Sequence, residues 1–257
     1  MDLKLQGKVG IVTGASRGIG QGIAECLAAE GMRLVVTARS EGALQQVSSV
    51  CGENTKVFVT DLREPDAPNR LIDFCLTEFG AIDLLVNNAG ATKRGDFLKL
   101  TDDDWHDGFA LKFYGYMRCS RAAWPHLMKS AGSIVNIIGI GGRTGTAEFA
   151  IGGAVNSALM NLTKVLADRG THEGVRVNAI NPGSIATDRL QIRLTKFASD
   201  RGISVEQAAV EMAHDMGITR FGEVSEIANA VAFLASPHAG YCQGAVLDID
   251  GGQTRTL

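Results

Sequence analysis

Short apolar, β-branched runs alternate along this chain with longer segments whose apolar residues recur at helical spacing. That rhythm is the mark of βαβ units feeding a parallel sheet with helices on both faces. It predicts strands over 8–13, 33–38, 56–60, 82–87, 133–138, 175–180 and 245–249, and helices over 18–31, 66–79, 102–128, 149–169 and 224–235. Continuous apolar runs such as IDLLVNN and GSIVNII read as strands buried on both faces, not one. No linker, repeat or low-complexity stretch breaks the alternation, so residues 1–257 are expected to form a single α/β domain. The exception is 184–222, a polar, helix-prone insertion between the last two strands, placed where a lid over a site would sit.

Charge and composition narrow the function. The balance of 25 Lys+Arg against 28 Asp+Glu, net −3, argues against nucleic-acid or anionic-membrane partners, which call for a basic excess. No run approaches the ~18 apolar residues of a membrane span, and the start MDLKLQGKVG lacks a signal-peptide core. A cytoplasmic protein is the expectation. Five cysteines without a C-x-x-C pair and five histidines without ligand spacing indicate neither disulfides nor a metal. Glycine is the excess: 31 of 257 residues, about 12 %, against roughly 7 % in average usage.

The first strand runs straight into Thr13-Gly14-Ala15-Ser16-Arg17-Gly18-Ile19-Gly20, with a helix beginning inside the turn. Gly14 suits the tight turn, Gly18 the close approach of backbone N–H groups to a pyrophosphate, and Gly20 close helix–sheet packing. The anion would rest on the positive end of the helix. A glycine triplet alone also fits an ordinary turn; the strand before and helix after favour a nucleotide. At the end of the second strand no carboxylate is present for a ribose 2′-hydroxyl. Ala38 and Arg39 stand there instead, and with Arg17 they favour NADP(H) over NAD(H), since guanidinium forks match a 2′-phosphate.

TGASRGIG, VTDL at 59–62, NNAG at 87–90, RVNAINPGSIAT at 176–187 and GAVLDIDGG at 244–252 together resemble the short-chain dehydrogenase/reductase family across essentially the whole chain. The resemblance implies a seven-stranded Rossmann sheet, a homo-oligomer (tetramer or dimer), and oxidoreduction of a small carbonyl or alcohol substrate. It implies that Gly14, Ser16, Arg17, Ile19 and Gly20 hold pyrophosphate and ribose, and that Asp61 and Leu62 flank the adenine. Asn88, Ala89 and Gly90 would support the central strand and ribose, with Pro182, Gly183, Ile185 and Thr187 at the nicotinamide end.

The family's chemistry uses a Tyr-x-x-x-Lys pair, a serine and an asparagine, the lysine lowering the tyrosine pKa. Aligning the helix SALMNLTKVLA at 157–167 puts the tyrosine position on Gly152 and the lysine position on Asn156. The serine position falls on Gly139 and the asparagine position on Lys112, so all four depart from the pattern. Asn156 retains hydrogen-bonding capacity toward ribose hydroxyls but no charge. Of the three tyrosines, only Tyr116, about 40° from Lys112 on a 100°-per-residue helix, could lean toward the site; core packing is its default. Six glycines in residues 139–153 predict a roomier site. Lys112, desolvated beside apolar walls, is the leading acid/base candidate, and Arg143 or Glu148 could orient substrate. Two further readings stay open: an inactive NADP(H)-binding sensor or assembly protein, and a non-redox lyase or isomerase with Lys112 as base.

Overall fold

The computed structural model describes residues 1–255. Seven parallel strands, β1 (Val9–Thr13), β2 (Arg33–Ala38), β3 (Thr55–Val59), β4 (Leu84–Asn87), β5 (Ser133–Ile137), β6 (Arg176–Pro182) and β7 (Val246–Ile249), form one sheet in the order β3-β2-β1-β4-β5-β6-β7. These are the predicted strands with their ends displaced by up to two residues. Every residue of β1, β4 and β5 is buried, as continuous apolar runs require when helices cover both faces. On one face Ile23 and Leu27 of α1 (Gly18–Ala29) pack with Ile227 and Val231 of α9 (Val224–Ala235). On the other, Leu71 of α3 (Ala67–Phe79), Leu127 of α5 (Gly115–Ser130) and Ala167 of α6 (Ala150–Glu173) close the core. The apolar pattern did not announce α2 (Glu41–Cys51), which buries only Leu44 and Val47.

The chain leaves β1 toward β2 on one side and reaches β4 on the other. Strand order therefore reverses between β1 and β4, where a crevice opens beyond the carboxyl ends of an open α/β sheet.

One prediction is corrected by the structure and one is filled in. The helix expected over 102–128 is α4 (Asp102–Gly108), a π-helical stretch (Phe109–Tyr114) and α5. A capping box between Thr101 and Asp104 starts α4. The π stretch shifts the phase of the remaining turns, which a constant 100° step cannot register. The insertion 184–222 holds two helices, α7 (Asp188–Arg201) and α8 (Val205–Asp215), joined through Leu190, Leu194, Ala208 and Met212. Its ends are pinned together by Ala186 N–H donating to Gly222 O at 2.7 Å and Gly222 N–H to Ser184 O at 3.0 Å. Among the described residues no helix is long and apolar enough to cross a membrane.

Candidate active site

The crevice is built by a lock between the first and fourth strands. Thr13 Oγ accepts from the backbone N–H groups of Asn88 (2.9 Å) and Ala89 (3.1 Å) and donates to Val86 O (3.2 Å). Asn88 Nδ2 donates back to Thr13 O at 3.0 Å and Gly14 O at 3.1 Å. The loops interlock so tightly that a Cβ on Gly14 would stand 2.7 Å from Ala89 Cα, and Gly14 has φ +65°. One on Gly20 would stand 2.3 Å from Gly14 O. Only glycine fits either position.

A cleft of about 480 Å³ opens above this lock. Gly14, Ser16, Arg17, Ile19, Gly20, Arg39, Asp61, Leu62, Asn88, Ala89, Gly90 and Thr187 all line it. Asn156, Pro182, Gly183 and Ile185 do not: Pro182 ends β6, Gly183 N–H donates to Ile249 O at 3.0 Å, and Ile185 is buried. Arg17 and Arg39 supply positive charge, and the buried Thr37 hydroxyl at the wall has no hydrogen-bond partner among the described residues. Glycine cradle, orphan hydroxyl and paired guanidiniums fit a phosphorylated dinucleotide. Arg39 is 69 % exposed and only 3.8 Å from Asp61, a surface ion pair weak enough for a phosphate to displace. Asp61 is held chiefly by Arg63, whose backbone N–H donates to it at 3.0 Å.

Lys112 lies in the π-helical stretch, where widened turns often re-aim a functional side chain. Its Nζ donates to Ile138 O at 2.5 Å and Asn156 Oδ1 at 2.7 Å, and Asn156 Nδ2 donates to Gly139 O at 3.2 Å. Gly139 N–H in turn donates to Asn181 Oδ1 at 3.3 Å. The structure therefore joins Lys112, Asn156 and Gly139 in one network, and the Lys112 stem lies against the cleft residue Gly90. Burial, and then the Arg189 guanidinium, pull Lys112 from an ordinary 10.5 down to about 7. Two of its three N–H groups are thereby used, and Lys112 itself is not among the residues that line the cleft.

The structure bears on three further expectations. Tyr116 is buried and donates to Ile137 O at 2.8 Å, and burial holds its phenol well above the ordinary value, so it is core. Arg143 forms an ion pair with Asp248 at 2.8 Å, and Glu148 is exposed. The site is not roomier at Gly152, because the Phe149 ring occupies the space: a Cβ there would lie 2.1 Å from Phe149 Cζ. Gly152→Ala is expected to cost about 1–3 kcal/mol by urea unfolding despite the gain in helix propensity. Phe149→Ala in the same chain should recover most of it, a coupling that a double-mutant cycle reads directly. Sequence reasoning also missed Thr13 as the lock, Phe149 as the filler and Arg189 at the cleft. Thr13 alone had a signal, its place at the end of the first strand.

A family model described as enoyl-(acyl carrier protein) reductase matches residues 14–254. The chain is 37 % identical over 251 residues, 97 % of its length and 98 % of the relative's, to the 3-oxoacyl-(acyl-carrier-protein) reductase FabG of Vibrio cholerae. It is likewise 37 % identical over 254 residues to the Escherichia coli K12 protein of that name, covering 97 % and 98 %. Among solved structures, L-sorbose reductase from Gluconobacter frateurii, complexed with NADPH and L-sorbose, superposes with a TM-score of 0.96 at 30 % identity over 100 % of both chains. An apo short-chain oxidoreductase from Pseudomonas aeruginosa PAO1, described as containing an atypical catalytic center, superposes at 0.91 with 28 % identity over 97 % of this chain and 98 % of that one.

Proposed function

Since this chain belongs to the short-chain dehydrogenase/reductase family, we propose that it is an NADP(H)-dependent oxidoreductase of a small carbonyl or alcohol, with Lys112 as acid/base in place of the usual tyrosine. The observation that carries this reading is Lys112, whose stem lies against the cleft residue Gly90 and whose Nζ is anchored 2.7 Å from Asn156 Oδ1. Gly139 and Gly152 stand at the family's serine and tyrosine positions and Asn156 at its lysine position. The network from Lys112 through Asn156 to Gly139 supports that register. A relative whose description mentions an atypical catalytic center makes such a departure credible.

A bound nicotinamide supplies or accepts the hydride. The chain's own residues do the rest. Arg17 and Arg39 bind the phosphates, and Gly14 with Gly20 lets backbone N–H groups approach them. Ile138 O and Asn156 Oδ1 hold the ammonium still, so its free N–H can give a proton to a substrate oxygen during reduction and take it back during oxidation. Preference for NADP(H) rests on Arg39, and the NADPH complex of the sorbose reductase supports it. Arg39→Ala is expected to lower the ratio of NADPH to NADH affinity about tenfold, read by fluorescence titration.

The decisive experiment is stopped-flow oxidation of bound NADPH against a panel of ketones, aldehydes and 3-oxoacyl thioesters. Oxidation coupled to alcohol formation supports the reading; tight NADPH binding with no turnover on any member would overturn it in favour of a sensor or assembly role. Exposed apolar side chains on neighbouring helices, Met128 and Val165, support a homo-oligomer.

A further inference from the structure

Arg189 lines the cleft, and outside its lining stand two exposed guanidiniums, Arg94 and Arg193. Arg189 and Arg193 stand four residues apart on α7 and so share one face. Arg189 Nη2 donates to Gly90 O at 2.9 Å, which sets that face against the loop after β4. From the loop, Arg94 lies 4.1 Å above the centre of the Phe149 ring, the same ring that fills the space at Gly152. Gly95 N–H donates to Glu148 O at 3.1 Å and ties the loop to that segment. Arg94 therefore lies on an aromatic ring on the side of the β4 loop, while Arg189 and Arg193 come from α7.

Among the described residues, none of Arg94, Arg189 and Arg193 has a carboxylate within ion-pair distance. They also press on one another: burial and then Arg193 lower the Arg94 pKa, and burial and then Arg17 lower that of Arg189. Glu148 offsets part of this repulsion at Arg94, and like charges drawn together favour the arrival of an anion. A planar guanidinium laid on an aromatic ring keeps its edge free for a bidentate oxyanion.

We propose that the substrate carries a carboxylate, which Arg94 and Arg193 bind while its carbonyl meets Lys112, so that the chain acts on oxo acids and the matching hydroxy acids. The carbonyl half of this statement rests on the oxidoreductase reading above; the carboxylate half does not.

The test compares pyruvate, acetoacetate and levulinate, each with its methyl ester, in wild type, Arg94→Met and Arg193→Met. For the skeleton that fits, wild-type kcat/KM is expected to favour the acid by about 10–100-fold, a ratio that falls toward one in either variant. A wild-type ratio near one, or a ratio preserved in both variants, would overturn the proposal. If nothing in the panel is reduced, the oxidoreductase reading suffers and the melting temperature of the cofactor-free protein decides this one. A rise with an acid but not its ester, lost in Arg94→Met, supports the carboxylate site; no rise with any acid sinks it.

Discussion

Lys112→Met is expected to lower kcat for carbonyl reduction by about 10²–10⁴-fold, the usual yield of a positioned acid/base group, while NADPH still binds. Single-turnover oxidation of bound NADPH measures the first and fluorescence titration the second. The pH dependence separates a proton donor from a mere tie between Ile138 and Asn156. Reduction needs the ammonium, so its rate should fall as pH rises through about 7, and oxidation, which needs the free amine, should rise through the same point. Stability moves in a definite direction. An unfolded lysine titrates near its ordinary 10.5 and the folded one near 7, so between these values the unfolded chain binds more protons. Wild-type stability relative to Lys112→Met should therefore climb as pH rises from 7 to 10.5 and be lowest below 7. A flat pH–rate profile across neutrality would remove Lys112 from the chemistry.

Gly20→Ala should weaken NADPH binding by about 100-fold or more and cost about 1–3 kcal/mol of stability. The added methyl would stand 2.3 Å from Gly14 O and 2.4 Å from Asn88 Nδ2. Both atoms belong to the hydrogen bond, 3.1 Å long, that locks the glycine loop to the end of β4. To make room, the loop must lift its N–H groups away from where an anion would sit. Gly42→Ala is the control: nothing lies within 4 Å of its Cβ, and within α2 it should stabilise slightly. Equal NADPH affinity in Gly20→Ala and wild type, by titration, would mean that the loop does not carry the phosphates.

Sequence disclosed what depends on local composition and lost what depends on distant partners. The strands were legible because a layer buried on both faces must be apolar along most of its length, as VGIVT and SIVNI are. The glycine loop was legible because close backbone approach leaves a spacing behind. The π-helical stretch was not, since one widened turn produces no apolar period of its own. Nor could the sequence reveal that Arg143 meets Asp248, 105 residues away. The same holds for Phe149, whose ring folds back over Gly152 and makes a run of glycines look emptier than it is.

The widened turn at Phe109–Tyr114 has a bearing on how this gene can vary. Deleting a single codon there would let an unbroken α-helix run from α4 into α5, rotating the N-terminal part by about 100° relative to the C-terminal part. Lys112 would then face away from Asn156, or Trp105 and its neighbours would leave their packing partners. Length, usually negotiable at an exposed connection, is thus fixed in this helix, and amino-acid replacement is the only route by which the lysine's position can drift.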